Sequence, residues 1–386
     1  MLDLSYNELL GALAFVLAGL IVYVLTPFMA GFAHRVGVVD EPGDERRMHL
    51  TATPLLGGLV LYLAVLVTVL LLVPFDGTIK AILVGGTVIT AVGLIDDLVE
   101  IRPLVKFAGQ LLAIAAALLF DVRMHTLSFP FVDDALHLPA WASIVITVLW
   151  FAAIINMVNF IDGLDGLAAG ICAISAVTFG VIAFSLGRNT TGMVAVTLAG
   201  STLSFLRFNF HPASIFMGDA GSMFLGFVLG VLSVQGVMKS TATVALILPL
   251  LVLGVPFVDL FLIVFRRVRR RVPFYTAAQD HVHHDLVLVA GFSQRKSVLL
   301  LYVWCILLNG TAVAMAQRSW PATAALGAAS LLLTGFIARL LRRYRRAAAH
   351  SAGAAEAAQT NAPAADDPQE PAASDESLGE TRPDSL

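Results

Sequence analysis

The chain has 386 residues, of which 58% are hydrophobic and only 13% charged, with a mean hydropathy of +0.86. A soluble domain carries about a quarter charged residues and somewhat under half apolar ones, which excludes an ordinary soluble enzyme. Stretches of ~20 apolar residues recur from end to end and mark a polytopic membrane protein. The net charge of −3 says little alone, because in such a protein the place of each charge matters; no nucleic-acid partner is expected.

No Lys or Arg precedes Arg35, and Asp3 lies ahead of the first apolar run, so 7–30 reads as a retained first helix and not as a cleaved signal peptide. Cutting at polar and Pro/Gly clusters predicts about eleven helical spans, near 7–30, 54–73, 79–95, 104–120, 141–158, 165–185, 191–206, 218–236, 243–264, 298–316 and 322–341. Strands are not expected, since an open sheet edge cannot sit in hydrocarbon. The one place for a small extramembrane hairpin is 121–140. From 347 the chain turns Ala/Pro/Ser-rich, with eight Asp/Glu against one Arg, and reads as a disordered cytoplasmic tail. The expected architecture is therefore an all-α integral membrane unit over 1–346 followed by that tail. Cys172 and Cys305 lie in apolar runs without metal or redox spacing and read as core residues.

With eleven spans the connecting segments alternate sides. One set carries 18 Lys/Arg and the other 5, so the first is cytoplasmic, the N-terminus is outside and the C-terminus inside. The unusual polar stretches all fall in the cytoplasmic set: "DERRMHLTATPLLGG" (44–58), "GLIDDLVEIRPLVK" (93–106), "NMVNFIDGLDGLAAG" (156–170), "FNFHPASIFMGDAGS" (208–222) and "DHVHHD" (280–285). Their co-location predicts one shared site.

Asp96 and Asp97 end a helical pattern, where carboxylates oppose the helix dipole and intramembrane acids point to function; a metal, Lys106 or Arg102 should offset them. Asp162 and Asp165, each followed by glycine, are expected at a helix N-terminus beside Asn156 and Asn159. Asp219 between glycines resembles a turn suited to a phosphate with its metal. His281, His283 and His284 lie beside an arginine run and fit an oxyanion contact better than zinc. Arg46, Arg47 and His49 suit anionic headgroups or phosphates. Oxygen ligands without cysteine argue for Mg²⁺, with Mn²⁺ as the alternative, and carboxylates, a hard cation and basic residues suit transfer at phosphorus. No G-x-x-x-x-G-K-[ST] loop is present, against a P-loop pump.

In this order, "GLIDD", "NxxNxxDGLDGLA", "FNxxPAxIFMGDAGS" and "HxHH" resemble the polyprenyl-phosphate N-acetylhexosamine-1-phosphate transferases (glycosyltransferase 4 type). The resemblance covers roughly 10–341 and is nearest the WecA/TagO branch, the undecaprenyl-phosphate GlcNAc-1-phosphate transferases, which are related to the MraY translocases. It implies Mg²⁺-dependent attack of a polyprenyl phosphate on a UDP-N-acetylhexosamine at the cytoplasmic face of the bacterial inner membrane, with UMP leaving. By motif, Asp219 matches the Mg²⁺ ligand, with Asp162 beside it. Asp96 or Asp97 matches the group that deprotonates or positions the lipid phosphate. Asp162, Asp165, Asn156 and Asn159 match positions around nucleotide and metal. Asn209 and Phe216 match uridine contacts, and His281, His283 and His284 the diphosphate and sugar. Arg46, Arg47, His49 and Lys106 are further substrate-binding candidates, and a homodimer is a candidate assembly. The last loop departs from the pattern: Ala278 and Asp285 stand where an acidic and a basic residue are usual, which bears on the choice of amino sugar. The competing reading, a transporter with intramembrane acids, expects acids toward mid-span, inverted repeats and broken helices.

Overall fold

The computed structural model describes residues 6–41, 52–127, 136–238, 246–270 and 281–360, most of them helical. In chain order the helices are α1 (Tyr6–Val36), α2 (Gly57–Leu72), α3 (Gly77–Val99), α4 (Pro103–Leu119), α5 (Ala140–Ile161), α6 (Leu167–Ser185), α7 (Asn189–Asn209), α8 (Gly218–Leu232), α9 (Ile247–Val252), α10 (Gly254–Arg270), α11 (Val282–His284), α12 (Gln294–Ala316) and α13 (Trp320–Thr360). Eight helices among the described residues are long and apolar enough to cross a membrane, and α2 and α4 are shorter apolar helices. The chain is an all-α integral membrane protein that passes the membrane several times.

Local sequence explains the ends that matter. Asp76 caps α3 by accepting the Ile79 N–H at 3.0 Å, and Glu100 closes it in the left-handed region at φ 46°. Pro103 starts α4 where its missing N–H costs nothing. Every residue of α8 from Ala220 to Leu232 is buried, so α8 is the axis on which α2, α3, α5, α6 and α7 pack. It is approached closely through small residues: a Cβ on Gly58 of α2 would lie 2.5 Å from the Gly221 Cα, and one on Gly93 of α3 2.5 Å from the Ala220 Cα. Small residues at such crossings let helices meet backbone to backbone in a membrane.

Three expectations need correction. The ninth span is not one helix: α9 and α10 are separated at Leu253. The interrupted ladder is compensated at the Val252 carbonyl, which accepts from Ser175 Oγ and Asn309 Nδ2, each at 3.1 Å. Second, the 121–140 hairpin exists, with Thr126 opposite His137 and Leu127 opposite Leu136, but another two-stranded ribbon pairs Val39 with Pro54 and Asp40 with Thr53. Third, α13 is continuous through 346 to Thr360; residues 361–386 of the expected tail lie outside the described residues. Cys172 and Cys305 are buried and free, as expected.

Candidate active site

The 53–58 stretch lies directly on the 216–221 stretch. Phe216 N–H donates to the Pro54 carbonyl at 2.8 Å, and Gly57 and Gly58 N–H donate to the carbonyls of Phe216 and Met217 at 3.0 and 2.9 Å. Gly218, at φ +64°, then turns the chain into α8. A Cβ there would sit 2.5 Å from Asp97 Oδ2, so no side chain fits.

The cap of α8 comes from another helix. Asp97 Oδ1 accepts the Asp219 N–H at 2.7 Å, and Oδ2 accepts the Ala220 N–H at 3.0 Å. This answers half of the electrostatic problem posed by two acids at the end of α3: the positive end of α8 holds one of them. Lys106 holds the other. Asp96 accepts the Ile101 N–H at 2.8 Å and pairs with Lys106 Nζ at 2.8 Å, while the same ammonium also pairs with the Asp219 carboxylate. Asn159 Nδ2 donates to Asp219 Oδ1 and lies 2.9 Å from Ser222 Oγ.

The turn between α5 and α6 is fastened from several sides. Asp162 caps the C-terminal end of α5, contrary to the expected helix N-terminus, and α6 begins behind Gly166 at φ +80°. Asp165 Oδ2 accepts the Ala213 N–H at 3.1 Å and lies 2.7 Å from His211 Nδ1. Asn209 accepts the Gly166 N–H at 3.1 Å and donates to the Ile215 carbonyl at 3.0 Å, and Tyr302 O–H donates to the Gly166 carbonyl. Lost hydration pushes the Asp162 carboxyl well above the usual carboxylate range, and the charges of Asp219, Asp97 and Asp165 add to the shift.

These elements enclose a cavity of about 790 Å³. Of the residues singled out in the sequence it gathers Asp96, Asp97, Lys106, Asn159, Asp162, Asp165, Asn209, Phe216 and Asp219; Asp40 and Glu100, not singled out, complete the acidic lining. Among the described lining residues seven are carboxylates and Lys106 is the one basic residue. Asn156 stays out of the lining: its amide donates to Gln110 Oε1 and to the Ala152 carbonyl, both at 2.8 Å. Arg46, Arg47 and His49 lie outside the described residues.

The histidines stand behind the turn, outside the cavity lining. A Cβ on Gly163 would meet His283 Nε2 at 2.6 Å and His284 Nε2 at 3.2 Å. Burial pushes His283 down to about 3, against the pull of the Asp259 charge, so this ring is neutral at physiological pH and cannot serve as a cationic phosphate contact. His281 Nδ1 lies 2.7 Å from Asp259 Oδ2, and Val282 N–H donates to Asp259 Oδ1 at 2.7 Å. Asp285, the residue that departs from the family pattern, is buried and pairs with Arg266 at 3.2 Å and with Arg345. It thus ties α10 and α13 to the histidine segment. Sequence reasoning missed Asp259, although a lone acid in "GVPFVDLFLIVF" is a signal of its own.

Two places bear on metal binding. Asp259, His281 and His283 put ligand-capable atoms within 4.8 Å of one another, but both Asp259 oxygens are already hydrogen-bonded. The cavity fits better: Asp219 and Asp162 offer oxygen donors, and Lys106 shows that this acidic corner accommodates a positive charge.

The glycosyl transferase family 4 model matches residues 79–237. The "Probable undecaprenyl-phosphate N-acetylglucosaminyl 1-phosphate transferase" of Bacillus subtilis (strain 168) is 37% identical over 291 residues, covering 75% of this chain and 80% of the relative. The decaprenyl-phosphate N-acetylglucosaminephosphotransferase of Mycobacterium leprae is 37% identical over 322 residues, 76% of this chain and 80% of the relative. A phospho-N-acetylmuramoyl-pentapeptide-transferase of Moorella thermoacetica is 32% identical over 312 residues, 76% and 94% of the two chains. The matched region runs from α3 through α8 and holds every carboxylate of the cavity except Asp40; with relatives this similar over three quarters of its length, the chain belongs to glycosyl transferase family 4.

Proposed function

We propose that this membrane enzyme transfers an N-acetylhexosamine-1-phosphate, GlcNAc-1-phosphate first among the candidates, from a UDP-sugar to a polyprenyl phosphate. An oxygen of the lipid phosphate attacks the β-phosphorus, the bond from that phosphorus to the bridging oxygen breaks, and UMP leaves with the electron pair. The product is a polyprenyl-diphosphate sugar. The observation that carries the reading is the acidic cavity with its single lysine, lined by three of the four motifs that define the resemblance, with the histidine motif packed behind its Gly163 turn. Relatives whose names state this transfer support it.

A bound Mg²⁺, or Mn²⁺ in its place, would neutralise diphosphate charge between Asp219 and Asp162. Lys106, already shared by Asp96 and Asp219, can turn its ammonium to a phosphate oxygen. We assign Asp96 to placing the lipid phosphate, because it shares the Lys106 ammonium that can turn to a phosphate oxygen, whereas both Asp97 oxygens are held by backbone amides of α8. Asn159 holds the Asp219 carboxylate in place, Phe216 offers a ring to the uracil, and Asn209 and Asp165 hold the wall that faces the nucleotide. Asn156 acts at one remove, through Gln110. His281, His283 and His284 back the turn on the side assigned to the sugar. Arg46, Arg47 and His49 suit the lipid headgroup. Attack is direct, since the lipid phosphate is already an anionic nucleophile. The site faces the cytoplasm of a bacterial inner membrane, with the N-terminus outside, a homodimer as candidate assembly and a tail beyond the transferase unit.

Purified protein incubated with Mg²⁺, polyprenyl phosphate and a panel of UDP-sugars should release UMP with one of them. Absence of release throughout the panel overturns the reading. A phospho-sugar adduct trapped on Asp96 or Asp97 overturns direct attack.

A further inference from the structure

We propose that Asp259 is a positioning residue: it fixes the tautomer of His281 and the backbone of the histidine segment that backs the Gly163 turn. The proposal rests on the transferase reading of the adjoining cavity. Asp259 lies in α10, among the apolar residues of the broken ninth segment, and is 5% exposed. A carboxylate at such depth is costly and calls for partners. It spends neither oxygen on its own helix. One faces His281 Nδ1 and the other accepts the Val282 N–H, both at 2.7 Å.

A carboxylate on Nδ1 keeps a proton on that nitrogen, so that of the two tautomers it selects the one whose Nε2 is the free acceptor edge. The bond to Val282 does separate work. It caps the single turn Val282–His284, which lacks a side-chain cap from His281 itself. Ring and backbone are thereby set by one group. His283 then stacks on His281 at 5.1 Å between centroids, His284 lies 4.4 Å from His283, and both reach Gly163. Gly163 stands between Leu164 and Asp162 in the cavity lining, so the orientation of the segment bears on the turn that carries Asp162 and Asp165.

Asp259→Asn separates tautomer from shape. The amide oxygen can still accept the Val282 N–H, while the amide NH₂ donates to Nδ1 and drives the proton of His281 to Nε2. In purified protein with UDP-GlcNAc and polyprenyl phosphate, the variant should keep its melting temperature and both KM values and lose up to about 10²-fold in kcat, the scale of a small misplacement of the turn. An unchanged kcat would leave Asp259 as a cap alone and overturn the proposal. The tautomer is also read without turnover, by ¹⁵N NMR of histidine-labelled protein at pH 8, in the signal that disappears in His281→Gln. Nδ1–H in the parent protein is expected; Nε2–H or a doubly protonated ring overturns the proposal. Failure of the parent protein to release UMP would count against the transferase reading, and the NMR result would still decide the role of Asp259.

Discussion

Asp97 and Asp219 are linked head to tail: the side chain of the first accepts the backbone N–H of the second, 122 positions further along the chain, at 2.7 Å. The bond joins the end of α3 to the start of α8 and makes the placement of one acid depend on the other. Asp97→Asn keeps one acceptor of the two and loses the charge that the helix N-terminus favours. The variant should be destabilised by about 1 kcal/mol, seen as a lower melting temperature in detergent, with a fall in kcat because Asp219 shifts. A variant as stable and as active as the parent would show that the cap has no functional weight.

Asp219→Asn removes one charge from a corner where several carboxylates are crowded. Folding should not suffer, since like-charge repulsion is relieved, yet UMP release should drop by about 10²-fold or more. Retained activity would take Asp219 out of the metal site.

Lys106→Met leaves Asp96 and Asp219 without their shared ammonium. The melting temperature should fall in EDTA and recover on adding Mg²⁺, with a larger metal-induced rise than in the parent protein, because a cation then replaces the one removed. Equal rises in the two proteins would separate Lys106 from the metal position.

His283 gives a pH signature of defined sign. Its folded-state value of about 3 lies below the ordinary 6.5, so the unfolded chain binds the proton more readily. The stabilisation is complete above about 6.5 and is lost as pH falls toward 3, by at most about 1.4 kcal/mol per pH unit for this one group. The groups that face it are Asp259, His281 and His284. Melting temperatures between pH 7 and 5 should fall less steeply in His283→Gln than in the parent; identical slopes would refute the assignment.

That the three carboxylate motifs share one site was legible in the sequence, because apolar periodicity makes the helices visible and the expected alternation of the segments between them assigned these motifs to a common face. The fine structure of the site was not. Asp96 and Asp97 are neighbours with the same chemistry in the sequence, and only the packing of α3 against α4 and α8 gives one to an ammonium and the other to backbone amides. Asn156 and Asn159 share a motif and one face of α5 by spacing, yet Gln110 from α4 captures the first. Asp259 sits alone within an apolar run, and its partner is 22 residues away across residues outside the described set. Composition also hid the break at Leu253, since both halves of that segment are apolar and the polar groups that compensate it come from α6 and α12.

The Asp162–Gly166 turn is held by Asp165 to His211 and Ala213, by Asn209, by Tyr302 and by the rings packed on Gly163. Those bonds use groups of the protein alone, so the turn has its shape before any substrate arrives. A ligand that docks against it then loses little free energy to ordering the wall it touches, at a scale of about 0.5–1.5 kcal/mol for each side chain that needs no freezing. Along this wall, binding is accordingly governed by charge balance among the carboxylates more than by ordering of the turn.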